Sequence, residues 1–272
     1  MRTRPNYAAG FAAFIWLLII GVPLYALVNT AVQPQSKYTD KGPLGLPSTL
    51  TLDNFRTVLD SGFLHYIWNT LVVAGATVAI VLALGIPISY AVVRGRGFLT
   101  KGVFRLFLVG LAIPSQAVII PLFLIINNLG FYDTLWGIIL PTAAFALPVT
   151  VLVLSGGMRD ISTELYEAMA LDGASPAKTL LTLVVPMSKS AIATASVFTA
   201  LQAWNGFLFP LIMTQSDDKK LVTMGLYNFV SQYGANVPAL LAAVLLSAVP
   251  VLVVYLFARR ALVAGLMGAG GK

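Results

Sequence analysis

The side chains that could carry out chemistry are few in this chain, and they do not form a catalytic set. There is no cysteine and a single histidine, His65, so the sequence supplies neither a thiolate nor a cluster of imidazole ligands for a metal. It contains no His-Glu-x-x-His metal motif, no Gly-x-Ser-x-Gly nucleophile motif and no Walker A phosphate loop. We therefore expect a protein that is not an enzyme and does not hydrolyse ATP by itself.

Neutral amides are the remaining candidates for binding a ligand. Asn69 and Gln116 lie in separate apolar segments, and Gln202 and Asn205 flank Trp204 in a third. Amides in such surroundings must find hydrogen-bond partners. Two interpretations stay open, because they can join helices to one another or contact a ligand. Amides beside an aromatic ring suit an uncharged sugar, and the apolar segments carry almost no charged residues that would favour a phosphate or a polyamine.

The longest polar stretch in the second half of the chain, 159–186, predicts two short helices with a corner between them. Ser162 and Glu164 suit the start of the first helix, because a hydroxyl can accept a hydrogen bond from a free N–H group and a carboxylate is stabilised at the positive helix end. Asp172 and Gly173 suit its end, since glycine readily adopts the left-handed conformation of a helix C-terminus.

The second helix of this stretch is predicted to begin at Ser175-Pro176, with serine as the cap and proline in the first turn. On the first helix, helical spacing predicts an apolar face opposite the carboxylates of Glu164 and Glu167. The predicted members of the apolar face are Ile161, Leu165, Ala168 and Met169. A pair of short amphipathic helices between apolar segments is typical of a docking element.

The same residues resemble the EAA loop of ABC importer permeases, membrane subunits whose loop docks into a cleft on a cytoplasmic ATPase subunit. The resemblance rests on Glu167-Ala168-Met169, Asp172-Gly173-Ala174 and Val185-Pro186, with Met169 where many members have alanine. An ordinary linker of two helices is the alternative. The resemblance implies a coupling loop at 159–189. The implied coupling residues are Glu164, Glu167, Ala168, Asp172, Gly173, Ala174 and Pro186.

The composition is typical of an integral membrane protein. Of 272 residues, 58% are hydrophobic and 10% are charged, whereas soluble domains carry about 25% charged residues. Because about twenty apolar residues cross a bilayer, six spans are predicted, and the first is too long for a cleaved signal peptide. The predicted spans cover residues 11–32, 66–92, 103–126, 135–154, 190–213 and 238–258.

The basic residues predict an orientation for these spans. Twelve of the 17 Lys and Arg residues fall on one side and five on the other. The positive-inside rule places the richer side in the cytoplasm. That side carries Arg2, Arg4, Arg94, Arg96, Lys101, Arg105, Arg159, Lys178, Lys189, Arg259, Arg260 and Lys272. The predicted fold is an all-α integral membrane protein, a single domain over 1–272. It has six transmembrane helices, both termini in the cytoplasm and a coupling helix pair between spans 4 and 5.

A second resemblance concerns residues 203–210, Ala-Trp-Asn-Gly-Phe-Leu-Phe-Pro, which are similar to the Trp-Asn-acidic-Phe segment of carbohydrate importer permeases. Gly206 stands in place of the acidic residue. The segments 113–116 and 259–266 resemble the same subfamily, and specifically the six-span G-type partner of a maltose-type pair. Gln116 follows Pro114, and Gln202, Trp204 and Asn205 precede Pro210, so the clustering of polar groups near proline kinks predicts that these four residues line the substrate path. The resemblance implies that the F-type partner makes most of the sugar contacts, so direct binding by this subunit is expected to be weak. It also implies that Asn228, Gln232 and Tyr233 in the outer loop 214–237 contact a binding protein.

Together the resemblances imply a permease subunit of an ATP-driven, binding-protein-dependent ABC importer in a bacterial inner membrane, carrying a di- or oligosaccharide into the cytoplasm. The implied partners are a second homologous permease in a heterodimer, two ATPase subunits that hold ATP and Mg²⁺, and an extracytoplasmic solute-binding protein. No cofactor, metal or nucleic acid is expected on this chain. Two alternatives stay open: an importer for another polar solute such as glycerol phosphate, and a membrane scaffold or sensor without transport.

Overall fold

The computed structural model of the chain describes the backbone of residues 7–47, 49–95, 97–231 and 234–270. Side-chain environments are described for the same residues except 231 and 257–270. Within these limits the chain is helical almost throughout, which confirms the all-α prediction. Some predictions lie outside the described residues, namely those on Arg2, Arg4, Arg96, Gln232, Tyr233 and Lys272 and those on the side chains of Arg259 and Arg260.

The described residues form fourteen α-helices, four short segments of other helix types and one small sheet. The α-helices are α1 (Tyr7–Ala31), α2 (Gln35–Lys41), α3 (Asp53–Asp60), α4 (Phe63–Arg94), α5 (Phe98–Gly110), α6 (Ile119–Asn128), α7 (Leu135–Arg159), α8 (Thr163–Leu171), α9 (Pro176–Thr179), α10 (Val185–Met187), α11 (Lys189–Trp204), α12 (Leu208–Met213), α13 (Val222–Gly225) and α14 (Val237–Gly270). The 3₁₀ segments are Ser115–Val118, Asp217–Lys219 and Leu226–Phe229, and a π-helical segment covers Leu180–Val184. Strands β1 (Val230–Ser231) and β2 (Gly234–Ala235) pair antiparallel.

Several helices are long and apolar enough to cross a membrane. By length and composition, α1, α4, α7 and the Val237–Leu256 part of α14 qualify singly, which gives four spans among the described residues. Two bent pairs raise the number to six if each pair counts as one span. These are Phe98–Gly110 with Ser115–Asn128, bent by 95°, and Pro176–Met187 with Lys189–Trp204, bent by 79°.

The predicted third span, 103–126, is broken instead of continuous. Helix α5 ends at Gly110, and the chain resumes with the 3₁₀ segment at Ser115 and then α6. Pro114 between them has an extended backbone, with φ −71° and ψ 130°. A proline has no N–H to donate, and it disfavours the helical conformation in the residue before it. The apolar composition of this segment does not reveal the sharp bend.

The predicted fifth span, 190–213, is also interrupted. Helix α11 ends at Trp204, and α12 begins at Leu208. Pro210 explains the gap, because it has no N–H for the carbonyl of Gly206 four residues earlier and its ring would collide with that carbonyl. The Gly206 carbonyl instead accepts a hydrogen bond from the Thr223 hydroxyl at 2.8 Å.

Packing divides the chain into two compact units. The first unit comprises residues 1–64 and 225–249. Within it, side-chain amides hold the segment that follows α1. Asn29 donates to the carbonyls of Pro43 and Gly45 at 3.0 and 2.8 Å. Asn54 donates to the carbonyls of Ala31 and Gln33, each at 2.8 Å, so α3 is tied to the end of α1.

The second unit comprises residues 65–224 and 250–272, and α7 lies at its centre. About half of α7 is buried, and the helix packs against α5, α11 and α12. Two glycines allow close approach along α7. A Cβ at Gly157 would lie 2.5 Å from the Cβ of Ala191 in α11, and one at Gly110 would lie 3.3 Å from the ring of Pro148.

Candidate functional site

Helix α8 is the first of the two predicted coupling helices. Ser162 occupies its N-cap position in an extended conformation, but the hydroxyl makes no capping hydrogen bond, so the prediction of a side-chain cap was wrong. Glu164 lies in the first turn as predicted. Gly173 has φ +68°; its N–H donates to the carbonyl of Ala170, and the next N–H, of Ala174, donates to the carbonyl of Met169. This is a Schellman turn, which confirms the predicted helix end.

The second coupling helix begins as predicted. The Ser175 hydroxyl accepts a hydrogen bond from the backbone N–H of Lys178 at 3.2 Å, with Pro176 in the first turn. The helix then widens into the π segment 180–184 before α10. Pro186 has no N–H for the carbonyl of residue 182, so the regular α pattern fails near this point. Single turns of π-helix occur often at functional sites.

The side of α8 that packs against the rest of the chain carries Tyr166, which was not among the residues of the predicted apolar face. Tyr166 is the buried residue of this helix, with 6% of its surface exposed, and Ile161 just before the helix is also buried. Leu165 and Ala168, which were expected on the same face as Ile161, are exposed. Ile161 precedes the helix, so it does not belong to the predicted apolar face, whereas Leu165, Ala168 and Met169 lie within α8.

Most of the predicted coupling residues lie on the surface of this loop. Glu164, Glu167, Ala168, Asp172, Gly173 and Pro186 are exposed, and Ala174 is half-buried. Large apolar side chains are exposed among them, including Leu165, Leu171 at 89% and Leu181 at 67%. Exposed apolar side chains next to carboxylates are characteristic of a surface that binds another protein. Sequence reasoning had not singled out Leu171 or Leu181.

The four predicted path residues have different environments. Gln116 is exposed in the 3₁₀ segment, and its carbonyl oxygen accepts a hydrogen bond from Ser115 at 3.4 Å. Gln202 is exposed on α11. Asn205 is exposed just after α11, and its Nδ2 donates to the carbonyl of Leu201 at 2.8 Å, so it closes the helix end. Among the described residues, no hydrogen bond joins Gln116 to either of the other two amides.

Trp204 has a different environment from the amides. It is 92% buried, with 8% of its surface exposed, and it lines a groove of about 310 Å³ between α4, α11 and the later part of α14. The groove is lined chiefly by small and apolar side chains, such as Ala74, Gly75, Ala200 and Val251. None of the three amides lines it. The indole therefore packs among helices of the second unit, and its place on a substrate path stays a prediction.

The loop between α12 and α13 is fixed by side chains that the sequence analysis did not identify. Asp133, in the turn before α7, accepts hydrogen bonds from the N–H groups of Gln215 and Ser216, each at 2.9 Å, and from the Ser216 hydroxyl. These bonds hold the pKa of Asp133 below its ordinary value, and the bond from the Ser216 hydroxyl has the largest effect. Asp133 also has φ +58°, a conformation that is uncommon outside glycine.

Residues 65–70 of α4 bind the other end of this loop. Asn69 donates to the carbonyls of Asp218 and Lys220 at 2.8 and 3.0 Å, and the His65 ring lies 2.8 Å from the same Asp218 carbonyl. The Thr70 hydroxyl accepts a hydrogen bond from the N–H of Val222 at 2.9 Å. Of the two interpretations that stayed open for Asn69, the structure supports the joining of chain segments.

Two further expectations concern other ligands and the outer loop. Among the described residues there is no group of three or more His, Cys, Asp or Glu side chains that could hold a metal ion. Asn228, predicted to contact a binding protein, lies exposed in the 3₁₀ segment 226–229, whereas Gln232 and Tyr233 lie outside the described residues.

The apolar helices are those of a membrane protein, and comparison with known proteins identifies its family. Residues 75–263 match the family described as binding-protein-dependent transport system inner membrane component. The trehalose transport system permease protein SugB of Mycobacterium tuberculosis is 30% identical and covers 97% of this chain and 98% of its own length. The diacetylchitobiose uptake system permease protein NgcG of Streptomyces coelicolor is 30% identical, over 94% of this chain and 85% of its own.

A solved structure shows the same fold. It belongs to a bacterial ABC transporter involved in the import of the acidic polysaccharide alginate, with a TM-score of 0.79 at 18% identity, covering 96% of this chain and 99% of that one. The chain therefore belongs to the family of binding-protein-dependent transport system inner membrane components. It is a multi-pass ABC permease subunit of the inner membrane and not an enzyme.

Proposed function

We propose that this permease subunit carries a sugar, in particular a di- or oligosaccharide, into the cytoplasm as part of an ATP-driven importer that depends on a binding protein. The observation that carries the proposal is the exposed surface of α8 and α9 in a chain of this family, because a docking surface is what an ATP-driven membrane subunit requires. The sugar class is supported by the relatives named for trehalose and diacetylchitobiose, which match this chain over nearly its full length.

In the proposed architecture, residues 1–272 form one transmembrane domain with six spans. The bent pair of Phe98–Gly110 and Ser115–Asn128 supplies the third span, and α11 with α12 supplies the fifth. Both termini and the coupling loop 159–189 lie in the cytoplasm. The distribution of twelve basic residues against five supports this orientation. The loops that Asp133 and Asn69 hold then lie on the outer side of the membrane.

The proposed partners are a second homologous permease in a heterodimer, two ATPase subunits and an extracytoplasmic binding protein. The ATPase subunits supply ATP and Mg²⁺. No residue in the most apolar part of α1, a helix that is described in full, is buried within this chain. The apolar surface of such a helix can contact lipid or a helix of a partner subunit, which supports association with a second permease.

The proposed mechanism begins at the coupling surface. Glu164, Glu167, Ala168, Asp172, Gly173, Ala174 and Pro186 form or support the part of the loop that enters the ATPase cleft. Closure of the ATPase dimer on ATP moves α8 and α9, and the packed helices follow as a rigid body. A ligand shifts such an equilibrium only through different contacts in the two states, and ATP provides that difference through the docked helices.

The proposed substrate path is lined by the exposed amides Gln116, Gln202 and Asn205, with Trp204 supporting the helices behind it. These amides offer hydrogen bonds to hydroxyl groups without a charge, which suits a neutral sugar. Asn228, with Gln232 and Tyr233, is proposed to meet the binding protein on the outer side.

Reconstitution in lipid vesicles tests the proposal. The permease, its partner permease, the ATPase subunits and the binding protein would be assembled, and uptake of labelled trehalose, diacetylchitobiose and glycerol phosphate would be measured with and without ATP. We expect uptake of at least one oligosaccharide that requires both ATP and the binding protein. Uptake of glycerol phosphate alone would assign another polar solute, and a complex that takes up no solute would favour a scaffold or sensor.

A further inference from the structure

We propose that α4 transmits the movement of α8 to the outer loop 217–222, with Tyr166 as the positioning residue at one end and Asn69 at the other. This inference rests on the proposed function, because the movement of α8 is taken to come from the ATPase. It assigns a role to two side chains that bind neither nucleotide nor sugar.

The contact at the first end is an aromatic stack. The Tyr166 ring lies nearly parallel to the Tyr90 ring of α4, with centroids 6.4 Å apart and planes at 22°. The Arg94 guanidinium, at the end of α4, lies 4.2 Å from the centroid of the Tyr166 ring. A cation over an aromatic face is worth about 0.5–1 kcal/mol when exposed and about 2 kcal/mol when desolvated. Tyr166 therefore joins α8 to the last two turns of α4.

The ring of Tyr166, and not its hydroxyl, makes this contact. The hydroxyl is buried and has no hydrogen-bond partner among the described residues. Burial raises the pKa of the phenol, with Arg94 acting in the opposite direction, so the group is neutral at physiological pH. Replacement by phenylalanine should therefore keep the stack, whereas replacement by alanine should remove it.

Helix α4 runs without a break between the two contacts, although Pro87 within it has no N–H to donate to the preceding turn. Asn69 and Tyr90 are 21 positions apart, which corresponds to about 32 Å along an α-helix and so to about the thickness of the hydrocarbon core. The Ser89 hydroxyl donates to the carbonyl of Val151 in α7 at 3.3 Å, and a Cβ at Gly85 would lie 3.0 Å from Thr150. Helix α4 is therefore packed along α7, and we expect the two helices to move together.

The contact at the second end is a set of hydrogen bonds to the loop backbone. Asn69 binds the carbonyls of Asp218 and Lys220, and Thr70 binds the N–H of Val222. Tyr66 adds a bond to the carboxylate of Asp217 at 3.3 Å. We expect backbone atoms that are held by side chains of one continuous helix to follow that helix when it moves. A rigid element that two sites both contact is the physical form that coupling between distant sites requires.

A single fluorescent reporter on the loop tests this assignment. The chain has no cysteine, so Lys219→Cys provides one labelling site, next to the carbonyls that Asn69 binds. The complete importer with an environment-sensitive dye at this position would be placed in lipid nanodiscs, and the emission would be followed as a non-hydrolysable ATP analogue is added. We expect a nucleotide-dependent shift in the otherwise native importer.

Variants at the two ends then distinguish the outcomes. Tyr166→Phe should retain the shift, while Tyr166→Ala should reduce it about fivefold or more, the lower end of typical coupling between sites. Tyr166→Leu keeps apolar volume without the ring and serves if the alanine variant does not assemble. Asn69→Leu should abolish the loop response while nucleotide-dependent ATPase docking, measured by co-purification, remains. If both Tyr166→Leu and Asn69→Leu keep the full fluorescence shift, the proposed role of α4 is overturned while the proposed function still stands. No response in the otherwise native importer, together with no uptake, would overturn the proposed function as well.

Discussion

Gly173 provides a direct test of the coupling loop, because its backbone conformation disfavours a side chain although the space around it would accommodate one. Its φ of +68° disfavours any side chain, yet a Cβ at this position would have no heavy atom within 4 Å. A substitution therefore costs backbone conformational energy without a steric clash. The left-handed conformation costs an L-residue about 1–2 kcal/mol, more for a β-branched side chain, whereas asparagine tolerates it.

These costs predict a graded series in the complete importer. Gly173→Asn should leave the population of the docked turn close to that of the native protein. Gly173→Ala should lower this population about tenfold for each 1.4 kcal/mol of conformational cost. Gly173→Val should lower it further. Because the turn is exposed and the membrane helices are untouched, assembly with the partner permease should persist. We expect binding-protein-stimulated ATP hydrolysis to become uncoupled from uptake in the order Asn, Ala, Val.

The assay is uptake and ATP hydrolysis measured on the same vesicles, with complex formation checked by co-purification. Gly156→Ala is the matched control, since Gly156 lies within α7, has no positive φ and also has open space around a Cβ. The control should transport normally. Equal coupling ratios in Gly173→Val and Gly173→Asn would refute the reasoning, because the backbone conformation would then not matter for coupling.

Further predictions concern topology, packing and the outer loop. Cysteine at Ser175 should react only with reagents that enter the cytoplasm and cysteine at Lys220 from outside; labelling of Ser175 from outside would reverse the orientation. Gly157→Val should destabilise the helix bundle by about 1–3 kcal/mol through overpacking, seen as a lower melting temperature in detergent, because a Cβ would lie 2.5 Å from that of Ala191. The depressed pKa of Asp133 means that its stabilising effect is present above the unfolded value of about 3.9 and is lost as pH falls through the lower folded value; Asp133→Asn should remove that acid sensitivity, and an unchanged unfolding profile would exclude a role for this carboxylate.

The features that the sequence predicted correctly are local and depend on residue type. Gly173 and Ser175-Pro176 formed the predicted helix end and helix start, because left-handed glycine and an N-terminal serine followed by proline have few other structural uses. The apolar segments became helices for an equally general reason, since a bilayer leaves backbone groups no other partner than the helix itself.

The features that the sequence did not predict depend on where distant segments meet. Tyr166 is one of several aromatic residues in the chain, and only its position against Tyr90 and Arg94 distinguishes it. Asp133 follows a short turn and has no signature until Gln215 and Ser216 lie next to it. The burial of Trp204 beside the exposed Gln202 and Asn205 also could not be read from the sequence, because it depends on which helices pack against α11.

The two helix breaks differ in a way that bears on the substrate path. Non-helical backbone at membrane depth is tolerated where protein satisfies it or where it lines a water-filled cavity. At the break after α11, Thr223 donates to the Gly206 carbonyl and Asn205 donates to the Leu201 carbonyl. Side chains of the protein therefore satisfy these two backbone groups. At the break after α5, Ile113, Pro114 and Gln116 are all exposed. Exposed residues at the break after α5 suit a cavity wall. On the proposed substrate path, the amide of Gln116 is therefore better placed than that of Asn205 to meet the substrate.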